Sequence, residues 1–144
     1  MESVTLSREV RDDVESGRLA HFTTIAKDGR PHTTIVWVGL HGDDVVVGKR
    51  TSDQKIVNIR RDEWVSLSIE AEGSQWGMQY HLIIEGSARV VNGGAPALLR
   101  ALSRRYVGPG TVFPPTPNPP DGFVIHVTPT RVRGLGPWSP MPGA

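Results

Sequence analysis

The sequence contains no cysteine. Disulfides, thiolate nucleophiles, cysteine-bound zinc and iron–sulfur clusters are therefore excluded. It also lacks an excess of either charge: the formal net charge is +1. That leaves no global electrostatic case for nucleic acid or an anionic membrane, and only a local patch can argue one. No stretch approaches the roughly 18 uninterrupted apolar residues of a membrane span. The opening segment, MESVTLSREVRDDVESG, carries acidic residues and no long apolar run, unlike a signal peptide. A cytoplasmic protein with no nucleic-acid or membrane partner is expected.

Several catalytic signatures are missing too. There is no Gly-x-Ser-x-Gly elbow and no acid pair in a recognisable setting. The histidines, His21, His32, His41, His81 and His126, have no close metal-ligand spacing, so no metal site is expected. Gly42 to Arg50 looks like a phosphate loop, but five residues separate Gly42 from Gly48 and Arg50 follows Lys49. The motif requires four residues there, and Ser or Thr after the lysine.

What is present is the material of one compact domain. The chain has 144 residues, 38% hydrophobic and 22% charged, with 16 glycines and 12 prolines, which suits a β-rich chain with many turns. A single domain over 1–144 is expected, with 1–5 and 139–144 as loose termini. Leu6, Val10 and Val14 mark a short amphipathic helix, capped by Ser7 and ended at Gly17. LAHFTTIA and PHTTIVWV flank Asp28-Gly29, a hairpin signal. A turn over Gly39–Asp43 leads to a third strand, DVVVGK, and Thr51 or Ser52 opens a helix ending at Arg61. Val65–Glu70 alternates as a strand, a turn follows around Gly73, and a long strand from Met78 to Val91 is expected to bulge at Gly86. Ala95–Val107 reads as a helix, and Gly108–Gly122, with six prolines, as a stiff loop. Phe123–Val132 is the last strand, ending or reaching a sheet edge at Pro129. Six strands in meander order with three short helices point to a small barrel, because closure hides sheet edges.

The segment VVVGKRTSDQKIVNIRR holds Lys49, Arg50, Lys55, Arg60 and Arg61, offset only by Asp53. Lys49 and Arg50 stand at a strand end, and Thr51 and Ser52 at a helix start. Hydroxyls, cations and free backbone N–H groups there converge into an anion site, with Lys55 one turn on. A solvated strand end and helix face is the other reading of the same residues. For Arg60 and Arg61, complementing the helix dipole is the stronger reading.

The order of these pieces, from Thr24-Ile25-x-x-Asp28-Gly29-x-Pro31 through Lys55-x-x-Asn58-Ile59-Arg60-Arg61-Asp62 to a late strand ending TRVRGLGPW, resembles the pyridoxamine-phosphate-oxidase-like superfamily. Within it, the chain resembles the branch that binds the deazaflavin coenzyme F420, over about Leu6 to Trp138. The resemblance implies a mainly β, α+β fold: a six-stranded antiparallel split β-barrel with short flanking helices, of the FMN-binding type. It implies a homodimer with the cofactor at the interface. Lys49, Arg50, Thr51, Ser52 and Lys55 would hold the cofactor phosphate, with Asn58 assisting. Thr33, Thr34, Ile35, Val36 and Trp37 would run under the ring, and Trp76, Met78, Tyr80 and Trp138 would add to the site. One departure is Asp53, where a relative pattern carries arginine two residues before the clamp lysine.

A bound flavin or deazaflavin carries its own hydride chemistry, so the lack of a catalytic triad is compatible with an oxidoreductase. No catalytic residue is assigned; Tyr80, His81 or solvent would supply a proton. The implied activity is F420-dependent hydride transfer to a small, conjugated substrate. The alternatives are an FMN-dependent oxidase or reductase, and a non-catalytic carrier of flavin or haem.

Overall fold

The structure, a computed structural model, describes residues 2–139. Among these, seven strands form one antiparallel sheet in the order β2-β1-β5-β6-β7-β4-β3. The strands are β1 (Ala20–Ile25), β2 (Pro31–Val36), β3 (Gly39–His41), β4 (Asp44–Lys49), β5 (Trp64–Gln75), β6 (Met78–Asn92) and β7 (Phe123–Leu135). The helices are α1 (Arg8–Val14), α2 (Gln54–Arg61) and α3 (Ala95–Tyr106).

The strand order forces a barrel. β2 and β3 are the outermost strands of the sheet, yet only Trp37 and Val38 separate them in the chain. Two extended residues reach only about 7 Å, so the sheet must curl until its two edges meet. No ladder joins those edges among the described residues, and the barrel is split there. Tyr106, at the end of α3, covers the seam: its hydroxyl accepts from the Val38 N–H at 3.1 Å and donates to the Arg18 carbonyl at 2.8 Å. The interior is one apolar cluster including Val14, Phe22, Val45, Leu67, Leu82, Ile84, Ile125 and Val127. α2 adds Ile56 and Ile59 to it.

Several expectations change. The strands number seven, not six, because Gly39–His41 pairs with β4 as a three-residue strand; the turn read over Gly39–Asp43 shrinks to the positive-φ Gly42 and its neighbour. β5 runs on to Gln75, and the hairpin turn sits at Trp76-Gly77 rather than around Gly73. Gly73 instead marks the irregular register after Glu70, at φ +109, with the Tyr80 ring against it. β7 does not end at Pro129 but continues to Leu135. The β6–β7 register shifts at Glu85/Gly86, and Pro129 faces Gly86 there. Beyond Val127 the strand has left β4 behind, so a residue without an N–H is tolerated at the bulge.

The expected cap holds at the start of α1, while its end falls at Glu15 rather than at Gly17. Ser7 caps α1 through the Val10 N–H at 3.3 Å. α2 begins at Gln54, because its cap is Asp53 and not Thr51 or Ser52; the Asp53 carboxylate accepts from the Ile56 N–H at 3.3 Å. The segment before α1 is tied down at Val4, whose N–H donates to the Pro129 carbonyl at 2.9 Å. Residues 140–144 of the expected loose tail lie outside the described residues. No described helix is long and apolar enough to cross a membrane.

Candidate functional site

β4 delivers Lys49 to the barrel seam, and α2 begins five residues later, at Gln54. The Asp53 side chain organises this junction. Its Oδ1 caps α2, while its Oδ2 takes the Lys49 ammonium at 2.8 Å and the Lys55 ammonium at 2.6 Å. Lys55 is buried, at 5% exposure. Burial pushes its ammonium below the usual lysine range and the neighbouring Lys49 adds to this, against the opposing hold of Asp53. Burial would raise the Asp53 carboxyl, but hydrogen bonds and charge from Lys49 and Lys55 outweigh it and hold the group low. One carboxylate thus faces two ammonium groups at a helix N-terminus, a combination suited to receiving a further anion. The departure from the family pattern at Asp53 is, in this fold, the residue that gathers the lysines.

Beside the junction lies a cleft of about 250 Å³, lined by Ile35, Val36, Trp37, Val47, Gly48, Lys49, Leu99 and Phe113. Its walls come from β2, β4, α3 and the proline-rich loop. Trp37 stacks on Tyr106, with ring centroids 5.4 Å apart and planes 8° from parallel, and meets Phe113 edge-on at 5.6 Å. Arg50 sets its guanidinium 5.6 Å from the Phe113 ring centre. Its Nε is buried without a partner.

Of the residues expected to touch a cofactor, Ile35, Val36, Trp37 and Lys49 line this cleft, and Lys55 meets Lys49 at Asp53. Thr33 and Ile35 are exposed on the outer side of β2, and Thr34 and Val36 face the other way. The Thr33 hydroxyl pairs with that of Thr23 at 2.9 Å. Thr51 and Ser52 are exposed just ahead of the Asp53 cap. Asn58 is buried, and its amide is committed to Thr24 at 3.0 Å and Gln54 at 2.8 Å, so it joins α2 to β1. Trp76 and Met78 project from the β5–β6 hairpin, 90% and 54% exposed, and Tyr80 follows on the same strand; none lines the cleft of its own chain. Trp138 donates to the His81 carbonyl at 3.0 Å and packs on the core, also away from that cleft. His81 holds its Nδ1 2.8 Å from the Gln79 carbonyl.

Sequence reading missed Leu99 and the bridging role of Asp53. Phe113 had a weak signal, as the one aromatic in the proline-rich loop. Leu99 was legible only as part of the apolar face of α3, because its partner Gly48 is 51 positions away and the contact exists only in the fold.

The family model for pyridoxamine 5'-phosphate oxidase matches residues 6–136. The chain belongs to the pyridoxamine 5'-phosphate oxidase family. The split barrel expected of that family is the fold described above. Among solved structures, an F420 reductase is 24% identical with a TM-score of 0.72, covering 89% of this chain and 98% of its own. A conserved hypothetical protein of Mycobacterium tuberculosis is 26% identical with a TM-score of 0.69, covering 92% and 85%. A haem-binding protein of Mycobacterium smegmatis is 23% identical with a TM-score of 0.65, covering 92% of this chain and 55% of its own. No curated protein matches the sequence.

Proposed function

We propose that this family member is an oxidoreductase that holds a deazaflavin of the F420 type, with its phosphate at the β4–α2 junction and its ring along β2. The observation that carries this reading is the convergence of Lys49 and Lys55 on one Asp53 oxygen, directly beside a flat-walled cleft. The donor set suits a phosphate. Two ammonium groups and the first-turn N–H groups of α2 meet there, and buried polar atoms of Thr34 and Arg50 nearby lack partners. When bound, such a group supplies the hydride chemistry. The chain's part is to anchor the phosphate through Lys49, Lys55 and the exposed hydroxyls of Thr51 and Ser52, and to shape the slot. Ile35 and Trp37 offer it an apolar wall, and Phe113 shields it from water on the loop side.

The exposed hairpin tip and the 60% exposed Ile35 support a homodimer in which Trp76, Met78, Tyr80 and Trp138 complete the partner's site. FMN fits the same clamp, since it too ends in a phosphate. A second reading, a haem carrier, is favoured by one observation: His21 is exposed and lies directly across from Ile35 at the cleft rim.

The test is a fluorescence titration with coenzyme F420 and, separately, with FMN, alongside a haem titration followed at its absorption band. Micromolar or tighter binding, about −8 kcal/mol, is expected for F420, and the Lys49→Ala/Lys55→Ala variant is expected to lose at least tenfold. Unchanged affinity in that variant for every ligand that binds would remove the phosphate-clamp reading. Haem binding alone, lost on His21→Ala, would replace it with the carrier.

A further inference from the structure

A buried polar atom left without a partner is costly, so each one raises the question of what satisfies it. His32 Nδ1 and Thr34 Oγ1 are both buried and unpartnered, two positions apart on β2. The strand alternates, so both side chains project to the same side as Val36. That side faces α2. His32 is the cross-strand neighbour of Thr24, whose hydroxyl accepts from Asn58 in the middle of α2. Val36, at the other end, shares the cleft with Lys49. His32 and Thr34 thus occupy the stretch between the α2–β1 contact and the lysine cleft. Asn58 is already committed on both sides, so it does not answer them.

We propose that His32 is a further ligand of the anion site, donating from Nδ1 to a phosphate oxygen beside the Thr34 hydroxyl while Lys49 and Lys55 supply the charge. The proposal rests on the cofactor reading only for the owner of that phosphate; the same atoms would receive inorganic phosphate. The imidazole contributes direction. A lysine ammonium is a rotatable point charge, whereas a ring N–H fixed on a strand sets which way the phosphate oxygens turn.

The experiment labels the histidines with nitrogen-15 and titrates the full-length protein with inorganic phosphate, coenzyme F420 and the phosphate-free F420 chromophore. The His32 Nδ1 resonance, identified by its loss in His32→Gln, is expected to move and saturate with phosphate and with F420, and to stay fixed with the chromophore. His32→Phe is expected to weaken phosphate and F420 at least fivefold and to leave chromophore binding unchanged. If that variant does not fold, the wild-type titration alone decides. Movement with phosphate while F420 fails to bind supports the subsite and counts only against the cofactor reading. A His32 resonance that stays fixed in saturating phosphate overturns the subsite, as does equal weakening of the chromophore.

Discussion

Lys49 and Lys55 stand on different elements, a strand and a helix, yet their ammonium groups share one oxygen of Asp53, at 2.8 and 2.6 Å. The like charges are held together by a carboxylate that an incoming anion would displace or compete with.

Asp53→Asn tests that arrangement. Asparagine caps helices about as well as aspartate, so α2 keeps its start, but Lys55 loses its counter-charge while remaining buried. The expected outcome is a loss of about 1–2 kcal/mol in unliganded stability, short of the cost of breaking a fully buried pair. Inorganic phosphate should restore part of that loss, and phosphate affinity should rise several-fold. Thermal melts with and without phosphate read both effects.

Tyr106→Phe keeps the ring stacked on Trp37 and removes only the hydroxyl. The Val38 N–H and Arg18 carbonyl then lose their partner at the barrel seam. A loss of about 1–3 kcal/mol is expected in urea denaturation, the range for stranding a buried backbone donor. A neutral result would mean that water replaces the hydroxyl.

Asp13 carries the clearest pH dependence. Burial pushes its carboxyl up to about 6, with Arg18 opposing, and its Oδ2 is buried without a partner. A folded-state value above the unfolded one favours the protonated acid. Its contribution to stability is therefore present below about pH 4 and lost as pH rises through 6. Asp13→Asn is expected to add about 1 kcal/mol at pH 7.5, or roughly 2–4 °C in Tm, and to flatten the stability profile between pH 4 and 7. A profile with the same slope in wild type and variant would assign that slope to another group.

Gly86→Ala tests the bulge that lets Pro129 sit inside β7. An added Cβ would run into the Thr128 carbonyl oxygen and press on Val127. The Thr128 atoms are the backbone of β7, so no flexible side chain can absorb that clash. Destabilisation of about 2–3 kcal/mol or more is expected by chemical denaturation. A small effect would show that the bulge shifts register freely.

Periodicity and punctuation made the elements legible in the sequence. Ser7, the Asp28-Gly29 hairpin, the β-branched run at Val45–Val47 and the bulge at Gly86 all act through neighbours a few residues away, where local sterics and hydrogen bonding suffice. The basic run from Lys49 to Lys55 was equally visible, because a strand end followed by a helix start fixes where its donors emerge. The family motifs are local too, and their order named the split barrel.

Tertiary structure decided the rest. It made a strand of Gly39–His41, since three residues carry no periodic signal and only the edge of β4 gives them a partner. It carried β7 past Pro129, because the bulge opposite Gly86 removes the need for the missing N–H. It committed Asn58 to Thr24, 34 positions away, and set Arg50 over the Phe113 ring. It turned Asp53 from an interruption of the basic run into its centre, and left His32 Nδ1 buried without a partner. Each of these depends on which segment closure of the barrel places alongside, and loop closure is nearly indifferent to sequence separation. The chain alone therefore fixed the types of its elements and the location of its charge, while the curl that brings β2 against β4 fixed what those charges face.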